Sequence, residues 1–237
     1  MAVYAAGLDH GEARSVSAGS TAVPGVRQQV DAIIPAFDEG PRVLAVARVA
    51  LESELFARVI VVDDGSRDDT AARVEAEPGL ELVKHERNRG KSQAMHSGFL
   101  ASSAPVICFL DADLLHVNAG HLRALIEPVQ YGHNQASLAM FTGGRTLTSL
   151  AQKISPLISG QRCLQRQLLD SFEDWDSRFG VETSLNEHLE SLGVAQLVVE
   201  WPGAAQVMKE EKRGCLAGFA ARLGMYRDIA ASKMRRH

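Results

Sequence analysis

The run Arg58-Val59-Ile60-Val61-Val62-Asp63 constrains the fold more than any other segment. Four β-branched residues stand together with no polar residue between them, so a strand here needs apolar cover on both faces. Such strands belong to parallel sheets layered between helices. Val30–Ala36, Glu81–Lys84 and Pro105–Leu110 read as three more strands. Helical stretches separate them. One runs from Pro41, in its first turn, to about Glu54; one runs through Ala76 with Ser66 or Asp68 as its cap; one runs from Gly90 to Ser102. Strands joined by single helices predict right-handed crossovers and an α/β fold with a mostly parallel central sheet. Beyond these, the pattern predicts a helix over Gly120–Val129, a strand over Ala136–Phe141, helices over Arg162–Phe172 and Val181–Leu192, a strand over Val194–Trp201, and a long helix from about Gln206.

The chain of 237 residues suits one large domain, here 30–205, between a poorly ordered leader (1–29) and a C-terminal basic amphipathic helix (206–237). A net charge of -4 argues against general nucleic-acid binding. The cysteines Cys108, Cys163 and Cys215 are odd in number and far apart, which suggests neither a disulfide framework nor a cysteine zinc site. With no long apolar run and no signal-peptide layout, a cytoplasmic protein is expected.

Acidic residues collect where strands end. Asp38 and Glu39 follow the first strand, Asp63 and Asp64 the second, and Asp111 and Asp113 the fourth. Asp is also an ordinary turn and cap residue. Three pairs on one edge, however, repel one another unless a cation or hydrogen-bond donors neutralise them. Open α/β sheets bind ligands at that edge. Asp111-Ala112-Asp113 leaves a buried strand with two carboxylates placed for a hard divalent cation such as Mg²⁺ or Mn²⁺. The loop Arg87-Asn88-Arg89-Gly90-Lys91 runs into a helix N-terminus and could offer amides and cations to a phosphate, or be a solvated basic loop. It is not a Walker A loop, and no G-x-G-x-x-G follows the first strand, so a P-loop NTPase and a dinucleotide dehydrogenase are both disfavoured.

Taken in order, four motifs resemble glycosyltransferase family 2 with the GT-A fold, a Rossmann-like fold for nucleotide-diphospho-sugar transfer. They are Ile34-Pro35-Ala36-Phe37-Asp38-Glu39, Val61-Val62-Asp63-Asp64-Gly65-Ser66 with Asp68-Asp69-Thr70, Asn88-Arg89-Gly90-Lys91, and Phe109-Leu110-Asp111-Ala112-Asp113-Leu114. Ser159-Gly160-Gln161-Arg162 and Phe179-Gly180-Val181-Glu182 are also similar to this group and to glucosyl-3-phosphoglycerate synthases. The resemblance implies a hexosyltransferase that uses a UDP- or GDP-sugar donor, Mn²⁺ or Mg²⁺, and a small-molecule or lipid-linked acceptor. It implies that Pro35, Ala36, Phe37 and Glu39 line the nucleoside pocket and that Asp64, with Asp63 beside it, binds the base. Gly90 and Lys91 would lie near base and diphosphate. Asp111, Ala112 and Asp113 would meet the ribose and the metal, with Asp111 and Asp113 as metal ligands. Glu182 would face the acceptor or the transferred sugar.

If the reaction inverts configuration, a carboxylate must take the acceptor's proton. Glu182 is the candidate catalytic residue and Asp176 the reserve; Glu182 is equally a first-turn acid favoured by the helix dipole. Arg162 with Arg166 one helical turn beyond could bind an anion, or form a solvated face. The region Trp201–Lys209 has no histidine to serve as a late metal ligand, which leaves Gln206 as a contributor or the ion with fewer ligands. His116, close after the aspartates, is the histidine of interest. The basic tail can lie on an anionic membrane at the inner face or pack on its own domain; a homodimer is compatible with the sequence. Two alternatives stand beside the transferase: a haloacid-dehalogenase-type phosphatase using the D-x-D aspartates, and a non-catalytic sugar-nucleotide-binding module.

Overall fold

A computed structural model describes residues 27–142, 159–176 and 180–206. The expected leader lies outside these residues except at its last three positions, and the C-terminal helix lies outside them beyond Gln206.

The first half alternates as the pattern predicts: β1 (Val30–Ala36), α1 (Gly40–Glu52), β2 (Arg58–Asp63), α2 (Thr70–Ala76), β3 (Leu80–Lys84), α3 (Lys91–Ala101) and β4 (Val106–Phe109). Then come β5 (Leu114–Leu115), α4 (Ala119–Gln130), β6 (Ala136–Thr142), β7 (Arg162–Gln165), α5 (Gln167–Asp170), α6 (Val181–Ser191), β8 (Gln196–Pro202) and β9 (Ala205–Gln206). Seven strands form one sheet in the order β3-β2-β1-β4-β7-β6-β8, and β5 pairs with β9 in a separate two-stranded ribbon. Every neighbouring pair in the large sheet is parallel except those made by β7, which runs antiparallel to both β4 and β6.

The chain proceeds from β1 outward to β2 and β3, then returns to place β4 on the other side of β1. Strand order therefore reverses between β1 and β4. Loops leaving the two strands diverge there and open a crevice at their carboxyl ends.

Alternation along β1 feeds two apolar layers. Ala32 and Ile34 face α1 and α4, packing with Val43, Ala47, Leu122, Leu125 and Ile126. Ile33 faces the other way, with Ile60, Val62, Met95, Phe99, Leu185 and Leu189. On that second face α3 lies close to the sheet: a Cβ on Gly98 would stand 2.3 Å from Ile33 Cγ2.

One expected element and the starting residue of another are corrected. Arg162–Phe172 is not one helix; its first four residues form β7 and only Gln167–Asp170 is helical. All four β7 residues are buried, and Arg162 is satisfied inside the protein by hydrogen bonds, donating to Asn186 Oδ1 (3.0 Å) on a later helix and to the Ser159 carbonyl (2.8 Å). Tertiary hydrogen bonding thus overrides a local pattern with the appearance of a helix. Gln206 does not open a helix; it pairs with Leu114 across the β5/β9 ribbon. No helix among the described residues is long and apolar enough to cross a membrane.

Candidate active site

The motifs after β1 and β2 are joined to each other by their backbones. The Asp38 amide donates to Ser66 Oγ (3.0 Å), the Glu39 amide to Thr70 Oγ1 (2.9 Å) and the Gly40 amide to Asp68 Oδ2 (3.0 Å). Asp38 Oδ1 in return accepts from the Arg67 amide at 2.8 Å. Ser66 is therefore spent on the first loop rather than on capping α2, whereas Asp68 does accept from the Thr70 amide of the first turn (2.9 Å). Glu39 is buried and accepts from Arg42 at 3.0 Å. Asp63 is fully buried. Pro35 and Ala36 end β1, and Phe37 projects beyond them with 37% of its surface exposed. It offers an aromatic face at the rim.

Asp64 holds the third motif in place. Its Oδ1 accepts from the Arg89 amide (2.8 Å) and lies 2.7 Å from His85 Nδ1; its Oδ2 accepts from the Gly90 amide (2.8 Å). The ring of His85 spans onward to Ser97 Oγ on α3 at 2.8 Å. Gly65 lets the two loops touch: it sits at φ +72°, and a Cβ there would stand 2.4 Å from the Arg87 carbonyl carbon. The Arg89 and Gly90 amides expected to face a phosphate are turned to Asp64 instead. The reason is electrostatic, since a buried carboxylate gathers every N–H in reach.

Gly90 leads into Lys91, which connects the motifs to the aspartates. Lys91 Nζ lies 2.6 Å from Asp111 Oδ1 and 2.6 Å from Glu182 Oε1. Asp111 Oδ2 accepts from Gln161 Nε2 (2.7 Å) and Gln206 Nε2 (2.8 Å), and the same Gln206 nitrogen reaches Asp113 Oδ1 at 2.9 Å. Ala112 is buried between them. Asp64, Asp111 and Asp113 thus share one edge: Asp64 fixes the loop that delivers Lys91 to Asp111.

Charge balance follows from these distances. Burial alone would raise the Asp111 carboxyl, but Lys91 together with the Gln161 and Gln206 amides outweighs it and Asp111 lies below the ordinary carboxylate range. Glu182 behaves alike: burial and the nearby Asp111 raise it, Lys91 lowers it, and the net shift is downward. Burial would lower the Lys91 ammonium, yet Asp111 and Glu182 reverse this and hold it above its usual value. Burial lowers the Arg162 guanidinium to about 10 against the pull of Glu182 and Asp111, which leaves it charged at neutral pH.

Other expected residues are not brought into this cluster. Arg162 and Arg166 do not form an anion-binding pair on one helix, because Arg162 is buried in β7 while Arg166 lies over the Phe99 ring and donates to the Ser102 carbonyl. His116 is exposed, in the left-handed region at φ 57°. Asp176 bonds Gln93. Gly160 and Gln161, just ahead of Arg162, pack on Asp111. A Cβ on Gly160 would stand 2.6 Å from Asp111 Oδ2 and 2.7 Å from Lys91 Nζ.

Comparison with known proteins places this geometry. Part of the chain is 36% identical over 94 residues to an uncharacterized protein of Methanocaldococcus jannaschii, covering 36% of this chain and 40% of that protein. It is 41% identical over 73 residues to the succinoglycan biosynthesis protein ExoU of Rhizobium meliloti, covering 29% and 21% respectively. The chain spans less than half the length of these curated relatives. The crystal structure of glucosyl-3-phosphoglycerate synthase from Mycobacterium tuberculosis in complex with Mn²⁺ and uridine-diphosphate-glucose superposes with a TM-score of 0.66, at 25% identity, over 88% of this chain and 79% of that one. The fold is thus the GT-A fold. The model of the family described as Glycosyl transferase family 2 matches residues 31–189, well over half of the chain, and on that match the chain belongs to glycosyl transferase family 2.

Proposed function

We propose that this chain is a divalent-metal-dependent glycosyltransferase that moves a hexose from a nucleotide-diphosphate sugar, a UDP-sugar before a GDP-sugar, to a small-molecule or lipid-linked acceptor. One observation carries the reading: Asp111, Asp113, Lys91, Glu182, Gln161 and Gln206 meet at the carboxyl end of β4, beside the point where strand order reverses. The family match and a structural neighbour holding UDP-glucose and Mn²⁺ support it.

The residues present fit a hard cation, since two carboxylate oxygens converge on a single atom, Gln206 Nε2. A Mg²⁺ or Mn²⁺ ion on Asp111 and Asp113 supplies Lewis acidity toward the departing nucleoside diphosphate. Pro35, Ala36 and Phe37 form the wall against which the nucleoside stacks, with Glu39 behind them. Asp64 shapes the Gly90 turn that borders the base and has lone-pair capacity left on Oδ2. Lys91 supplies positive charge to the phosphates once a donor competes with Asp111 for it. Gln161 fixes the rotamer of Asp111.

Glu182 is the carboxylate nearest this charge network from the second half of the chain. Paired with Lys91 and held below the ordinary carboxylate range, it is a weak proton acceptor. This favours an orienting role toward acceptor or sugar over that of a general base, and so favours retention of configuration.

The test is a thermal-shift panel of UDP-, GDP-, dTDP- and CMP-sugars with and without Mn²⁺. A metal-dependent shift is expected with UDP or GDP forms, and Asp113→Ala should abolish it. A shift that survives Asp113→Ala contradicts the metal assignment. Binding with neither donor hydrolysis nor transfer points instead to a sugar-nucleotide-binding module.

A further inference from the structure

Gln206 bridges the two carboxylates that would hold a cation. Its Nε2 lies 2.8 Å from Asp111 Oδ2 and 2.9 Å from Asp113 Oδ1, and so joins two side chains that otherwise repel. This position is set by the backbone, because Gln206 pairs in register with Leu114, the residue that follows Asp113. A neutral N–H group satisfies the oxygens but cancels none of their charge. No group of three His, Cys, Asp or Glu side chains suited to a metal occurs among the described residues. Among these residues the third oxygen donor beside Asp111 and Asp113 is the side-chain amide of Gln206.

A glutamine carries its oxygen and nitrogen on the same carbon, and its terminal torsion is broad and roughly two-fold. Half a turn about that bond puts Oε1 where Nε2 was, with little movement of the rest of the side chain. We propose that Gln206 is a third protein ligand of the divalent cation, donating from Nε2 to Asp111 and Asp113 when they hold no ion and presenting Oε1 when they do. The inference rests on the reading of Asp111 and Asp113 as metal-holding residues. Its consequence is selectivity. Two carboxylates and an amide form an all-oxygen set, which suits Mg²⁺ and Mn²⁺; an imidazole at the same place would suit Co²⁺, Ni²⁺ and Zn²⁺ better.

Calorimetric titration of Mg²⁺, Mn²⁺ and Co²⁺ into the full chain with excess UDP tests this. Gln206→Ala should weaken Mg²⁺ and Mn²⁺ binding by about tenfold or more, the scale on which supporting groups act on a metal site. Gln206→His should recover Mn²⁺ binding and raise the preference for Co²⁺ over Mg²⁺ by about tenfold relative to the wild type. If Gln206→Ala binds all three ions as the wild type does while Asp113→Ala binds none, Gln206 is not a ligand and the metal site stands without it. If the wild type itself binds no ion in the presence of UDP, both this inference and the metal-dependent reading fall.

Discussion

Gly160 shows how little room the site leaves around one residue. Any side chain there meets Asp111 and Lys91 together. Gly160→Ala should push the two apart, weakening UDP–Mn²⁺ binding by about tenfold or more, on the scale of 1–3 kcal/mol for an intruding methyl group. Calorimetry on the folded variant checks this, and unchanged affinity would show that Asp111 does not need its present rotamer. Asp64 makes a related point. Its oxygens carry two backbone amides and a histidine, so the residue identified from its motif as a base contact is first a builder of the loop. Its immediate work is on the chain itself.

At the scale of elements, the close approach of α3 to β1 depends on Gly98. Gly98→Ala drives a methyl into Ile33 and should cost about 1–3 kcal/mol. In a chain of this size that lowers the melting midpoint by several degrees, on the order of 2–4 °C per kcal/mol. Differential scanning calorimetry measures it, and a midpoint within one degree of wild type would mean that α3 moves freely on the sheet. The elements most legible in the sequence were those whose apolar pattern is their own. β2 follows from an uninterrupted β-branched run and β1 from a short, mostly apolar one, and their observed bounds coincide with the expected ones. β7 was not legible, because what buries Arg162 and Gln165 is pairing with β4 and β6, strands from elsewhere in the chain. Gln206 was named only as one option for the metal, because its place depends on a two-residue ribbon that carries no pattern. The aspartates were legible because each follows a strand; the lysine that balances them was visible as a charge but not as a bridge.

Across the whole molecule, the Lys91 cluster sets a pH signature. Asp111 and Glu182 titrate below their unfolded values, so they stabilise the fold above the ordinary carboxylate pKa of about 4 and lose that effect as pH falls through their folded values. Lys91 is shifted upward, so its contribution is complete below about pH 10 and is lost only as pH rises through its folded value. The cluster therefore contributes a flat stability plateau between roughly pH 5 and 10, with a fall on the acid side. Lys91→Met leaves two buried carboxyls without their cation, and the acid limb should move toward neutral pH. Melting midpoints across pH for the two proteins decide it; superimposable curves would mean the bridge does not hold in solution. Parallel strands add one practical corollary. Because β1, β2 and β4 deliver their following loops to one end and β6 runs in the same direction, the turn at Gly132–Asn134, just ahead of β6, lies at the opposite end of the sheet. A fluorophore or surface tether attached there sits about 20 Å, a strand's length, from the rim that carries Asp111 and Asp113, and leaves that rim unobstructed.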